Sequence, residues 1–208
     1  MKHISRTRRS GRLRYVGDPF NYPGSFGLLE SPYPSQYERR FFTNDGALLL
    51  IRPIKADDAA LLVDFFSRLS AQSIFYRFLT HLKSLPPDWI EHFTRIDYDR
   101  DVALVAVEKS DLREMILGVC RIMRCSGSTR GEVAVVVGDQ WQGRGIAAAL
   151  LKQCIGIARE LGMRSLWGLV STENAKALAL AEKFGFQAAS YSELGTTELE
   201  ITLDDAEA

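Results

Sequence analysis

From Thr43 onward the chain alternates between short runs that are apolar nearly throughout and longer runs whose apolar residues recur every three or four positions. That alternation predicts its elements. ALLLIRPIK (47–55) reads as a strand. The next run, ADDAALLVDFFSRLSAQS (56–73), sets Leu61, Leu62, Phe65, Phe66 and Leu69 at helical spacing and carries Asp57 and Asp58 at its start, where the helix macrodipole favours acids. PPDWIEHFTRI (86–96) predicts a second helix opening on prolines, which a first turn tolerates. Three strands are expected in succession over DVALVAVEK, MILGVCRIMR and GEVAVVVGD, with CSGSTRG (125–131) as a hairpin turn between the last two. A helix from about Gly145 to Leu161, a strand SLWGLVS, a helix NAKALALAEKF and two final strands around FQAASYS and ELEITL complete the series. Hairpins followed by β-α-β crossovers predict an α+β domain built on a mixed sheet flanked by helices, not a doubly wound one.

The first 42 residues break this regularity. MKHISRTRRSGRLRY carries six basic residues and no acid, and the following segment is rich in Pro, Gly, Ser and Tyr. Neither has a helical or strand period, so residues 1–42 are expected to form a basic irregular arm and residues 43–208 the domain. The arm reads as a solvated tail, with contact to an acidic partner or to the protein's own cleft as the sharper alternative. It lacks the apolar core of a secretory signal, and no apolar stretch reaches bilayer length, so a cytoplasmic protein without membrane contact is expected. The formal net charge of zero argues against a nucleic-acid binder. Cys120, Cys125 and Cys154 and the scattered His3, His81 and His92 show no metal-ligand spacing, so no metal is expected.

Candidate chemistry concentrates in DQWQGRGIAAALL. Glycine disfavours a helix interior by up to about 1 kcal/mol relative to alanine, yet Gly143 and Gly145 stand where a helix begins. A strand end followed by glycines and a helix start frees backbone amides to close on an anion, and a pyrophosphate fits such a place. The dinucleotide fingerprint lacks its third glycine here and a P-loop its Gly-Lys-Ser/Thr. By themselves the glycines fit a purely structural tight turn as well as an anion site.

The text around them is more specific. Gln142-Gly143-Arg144-Gly145-Ile146-Ala147 resembles the Q/R-x-x-G-x-G/A signature of the GCN5-related N-acetyltransferases, abbreviated GNAT, and Asn174 followed by ALAEKFGF resembles the helix and strand that close that fold. IRPIKADDA, YRFL, IDYDRDVALVAV and GEVAVVVGDQWQGRGIA are similar to the bacterial protein lysine acetyltransferases of the Pat type, over about Phe42 to Leu203. The resemblance implies the GNAT acyl-CoA N-acyltransferase fold, with acetyl-CoA as co-substrate. It implies that amides from Gln142 to Ala147 hold the pyrophosphate, a register using Gln140 being the alternative, and that backbone near Val136 lines the pantetheine arm and polarises the thioester carbonyl. Glu132 occupies the position of the branch's glutamate general base, against the plain reading of a strand-edge carboxylate. Asn174 is expected to cap its helix and to reach the pantetheine. Where many members carry a tyrosine general acid, this chain has Ala181. Tyr76, Arg77, His81, Asp97 and Tyr98 fall in acceptor-side segments and are read as packing and surface groups. The resemblance implies transfer to lysine side chains of a protein partner. A small-amine acetyltransferase and a non-catalytic acyl-CoA sensor are the other readings.

Overall fold

The computed structural model describes residues 32–110, 113–192 and 195–203. An eight-stranded mixed sheet carries the chain. Its strands are β1 (Arg39–Phe42), β2 (Leu48–Pro53), β3 (Val102–Ser110), β4 (Arg113–Arg124), β5 (Arg130–Val137), β6 (Ser165–Ser171), β7 (Gln187–Ser192) and β8 (Thr196–Thr202). They lie in the order β1-β2-β3-β4-β5-β6-β8-β7. Only β5 and β6 pair in parallel, joined by the expected crossover; the other neighbours are antiparallel. The helices are α1 (Ala59–Ser67), α2 (Ala71–Phe78), α3 (Pro87–Thr94), α4 (Ile146–Glu160) and α5 (Ala175–Lys183).

Side-chain alternation sorts two cores onto the two faces. Leu104, Ala106, Cys120 and Ile122 meet Leu150, Cys154 and Ile157 of α4 on one face. Ala103, Val105 and Val107 meet Phe65 and Phe66 of α1, Phe78 of α2 and Trp89 and Phe93 of α3 on the other. A two-residue period along each central strand can supply both layers only because both are covered.

Two expectations needed correction. The single helix over 56–73 is two, and α2 was not foreseen. Ser70 is extended, caps α2 by accepting from the Ser73 amide, and donates its own hydroxyl to Asp139 at 2.6 Å. That distant partner ends α1 where the apolar period alone would carry it on. Asp58, expected to serve the helix dipole, is buried and forms a two-pronged ion pair with buried Arg52, at 2.7 Å on each oxygen.

The arm boundary also moves. β1 belongs to the sheet, pairing Arg39–Phe42 with Ile51–Leu48. Ahead of it the Tyr37 hydroxyl donates to Glu160 at 2.8 Å, its carbonyl accepts from Gln153, and its ring packs on the α4 core. The cluster Arg6–Arg14 lies outside the described residues. Deleting residues 1–42 should lower the melting temperature by roughly 5–10 °C relative to deleting residues 1–31, since the longer cut exposes the edge of β2 and the Tyr37 seat on α4. Thermal unfolding of both truncations checks this.

Candidate active site

The sheet forks at its centre. β5 pairs with β6 only through Arg130↔Ser165, Gly131↔Leu166 and Glu132↔Trp167, while β5 continues beside β4 to Val137 and β6 beside β8 to Ser171. Gly168 stands at the fork, where a Cβ would come within 2.8 Å of the Val133 carbonyl oxygen. Beyond it Val133 to Val136, on a central strand, are partly exposed. The gap opens into a cleft of about 740 Å³ between β5, β6, α2, α5 and the start of α4. Backbone groups of β5 that would pair with a neighbouring strand face this cleft and are available to a polar, extended ligand.

The glycines sit at one end of it. Gly143 and Gly145 have φ of +80° and +86°, which side-chain-bearing residues adopt only with strain. Gly145 is the N-cap of α4, which has no side-chain cap and no acid in its first turn. The amides of that turn are thus held for an outside acceptor, and the helix dipole favours an anion there. The loop after β1 contributes too: Asn44 donates its amide to the Arg144 carbonyl at 3.0 Å, and its side chain lies where a Gly145 Cβ would come within 2.8 Å. Sequence reading missed Asn44, since nothing local signals that this hairpin meets α4.

Of the residues expected to hold acetyl-CoA, Val136, Gln142, Gly143, Gly145, Ile146, Ala147 and Asn174 line the cleft. Arg144 turns its side chain away, pairing with Asp45 at 2.9 Å and covering the Trp141 ring at 4.5 Å. Gln140 is exposed in the turn Asp139–Trp141 and does not line the cleft. Asn174 caps α5, accepting from the Ala177 amide at 3.1 Å. Gln142 bridges three elements: its amide donates to Ser73 of α2 and to the Val137 carbonyl, and its oxygen accepts from Lys176 of α5 at 3.2 Å.

Asp139 ties α2 to this loop. It accepts from the Ser70 amide and from the Ser70 and Ser73 hydroxyls at 2.6–2.8 Å. Burial raises the carboxyl, but these hydrogen bonds outweigh it and hold Asp139 below the usual carboxylate range. A depressed native value means stability present above the unfolded carboxyl pKa, about 4, and lost as the pH falls through the folded one. Asp139→Asn should cost about 1 kcal/mol at pH 7 after solvent screening and less at about pH 3, below the unfolded carboxyl range. Urea unfolding at both pH values measures the difference.

Two charged side chains are buried toward the far wall. Glu132 is 6% exposed and Arg77 8%, and Arg77 lines the cleft while Glu132 lies behind the lining. Burial pushes the Arg77 guanidinium down and the facing charge of Glu132 pushes it back up. Arg121, beside Arg77 and over the Phe93 ring at 4.4 Å, is pushed down to about 9 by burial and then by Arg77. Tyr76 lines the cleft as well; Tyr98 instead donates to the Ile54 and Ala103 carbonyls, and His81 stacks on Phe75. Among the described residues no group of three His, Cys, Asp or Glu side chains could hold a metal ion, and no helix is long and apolar enough to cross a membrane.

An uncapped glycine turn at the head of a helix, opening on a fork between parallel strands, suits a long thioester donor. The family model described as the Acetyltransferase (GNAT) domain matches residues 49–187. The chain belongs to the GNAT acetyltransferases. This acetyltransferase is 33% identical over 145 residues to Acetyltransferase PA5475 of Pseudomonas aeruginosa, covering 69% of this chain and 77% of that protein. It is 31% identical to the GNAT domain of S. lividans PAT, with a TM-score of 0.76 over 82% of this chain and 99% of that one. The structure of yncA from Salmonella typhimurium, solved with acetyl-CoA, shares the fold at 18% identity, a TM-score of 0.61 and coverage of 77% and 96%.

Proposed function

We propose that this acetyltransferase moves the acetyl group of acetyl-CoA directly onto lysine side chains of proteins in the cytoplasm, with Glu132 as general base. The observation that carries the chemistry is the cleft itself, which connects the uncapped start of α4 to Arg77, with Glu132 near Arg77 but outside the lining. The lysine acceptor is supported by the 31% identity to the GNAT domain of S. lividans PAT over nearly all of that domain. Free thiols at Cys120, Cys125 and Cys154 suit a reducing compartment.

Acetyl-CoA is the co-substrate. Its pyrophosphate rests on the amides of Gly143 to Ala147, and its pantetheine replaces the missing strand partner between β5 and β6. The Val136 backbone meets the thioester carbonyl and supports the charge that develops on its oxygen. The acceptor arrives as an ammonium, gives a proton to Glu132 directly or through one water, and attacks as the free amine. The charge of Arg77 stands near Glu132 in this part of the site.

Incubation with labelled acetyl-CoA and a panel of proteins and free amines tests this reading. Label on protein lysines supports it. Label confined to free amines would leave a small-amine acetyltransferase in its place.

A further inference from the structure

The family's usual tyrosine acid is absent, Ala181 standing in its place, and a tyrosine lines the cleft from the opposite wall. We infer that Tyr76 of α2 is the general acid that protonates the departing CoA sulfur. The inference rests on the reading of the cleft as an acetyl-transfer site.

Ala181 lines the cleft on α5. Side chains on a helix lean toward its N-terminus, so a tyrosine at 181 would carry its hydroxyl back toward Ala177 and the Asn174 cap. In this chain the Tyr76 hydroxyl comes to that end of α5 across the fork, donating to the Glu173 carbonyl, one residue before the cap, at 3.3 Å. Among the described residues Tyr76 is the only tyrosine lining the cleft.

Its competitors are committed elsewhere. The Ser73 hydroxyl gives its proton to Asp139 at 2.8 Å. Lys176 gives one to Gln142, at the glycine end. The Tyr76 bond to Glu173 is long and therefore weak, which leaves its proton available for redirection. Gln72 donates to the Tyr76 oxygen at 3.1 Å, which fixes the hydroxyl's position at this wall of the cleft.

The step balances. The C–S bond of the tetrahedral intermediate breaks with its electron pair going to sulfur, and the sulfur takes the proton of Tyr76. The phenolate regains a proton from solvent, Glu132 returns to solvent the proton it took from the ammonium, and the attacking nitrogen gives up its second proton to solvent as the amide forms. The products are the acetylated amine, CoA thiol and one released proton.

Thiol release from acetyl-CoA with a short lysine peptide measures the step. Tyr76→Phe, which keeps the ring, should lower kcat by about 10²-fold or more with the KM for acetyl-CoA within twofold. Adding Ala181→Tyr to Tyr76→Phe should restore at least tenfold, because the hydroxyl returns to the same place from the other wall. A tyrosine that only bridges α2 to Glu173 would raise that KM, leave kcat unchanged and gain nothing from Ala181→Tyr; that result overturns the inference and leaves acetyl transfer standing. A wild-type enzyme that releases no thiol with any acceptor overturns the acetyl-transfer reading, and the inference with it.

Discussion

Gly145→Glu is expected to abolish CoA binding, lowering affinity by more than about 10²-fold in a chain that still folds. Three physical effects act together at this residue. Its φ of +86° costs a side-chain-bearing residue about 1–2 kcal/mol. The new Cβ would meet the Asn44 side-chain oxygen at 2.8 Å and turn that side chain aside. The carboxylate then occupies the place proposed for the pyrophosphate at the positive end of α4. Gly143→Ala isolates the first effect, because φ is +80° there and nothing lies within 4 Å of the added Cβ. That variant should lose about 1–2 kcal/mol of stability, a shift of a few degrees, and bind CoA within a few-fold of wild type. Calorimetry on both variants gives the answer. Unchanged affinity in a folded Gly145→Glu protein would detach the pyrophosphate from this turn.

Glu132→Gln should lower kcat by about 10²- to 10⁴-fold and leave the affinity for acetyl-CoA within a few-fold, since the side chain lies behind the cleft lining. The exchange preserves size and removes only the basic oxygen and the charge. It also leaves buried Arg77 facing an amide, and removing one partner of a buried charge pair commonly costs about 3–5 kcal/mol. Kinetics therefore belong at a temperature where the variant is folded, established by its calorimetric titration with CoA. Turnover equal to wild type across the pH range would reduce Glu132 to a structural counter-charge for Arg77.

The two variants probe features legible to different degrees. The glycine turn could be read directly, because left-handed backbone at a helix start is a local demand that only glycine meets cheaply. Glu132 could not be read from its own surroundings. A carboxylate at the start of an apolar strand is ordinarily solvated, and only family resemblance singled it out. Its burial depends on α2 bringing Arg77 against β5 from more than fifty residues away in the chain.

The same division runs through the molecule. The apolar periods of this sequence determined most of the sheet and four of the five helices among the described residues, with SLWGLVS matching β6 residue for residue. Periodicity reports which face of an element will be buried, a property of the segment itself. Tertiary structure alone decided that α1 ends at Ser67, since Ser70 turns to Asp139. It drew Arg39–Phe42 into the sheet, because a strand of four residues carries too little pattern to announce itself before it finds β2. It also parted β5 from β6 after Glu132 and set Tyr76 across from Ala181. Each of these depends on a partner distant in sequence, and such a contact is stabilised only once the chain between has folded, so no local window contains it.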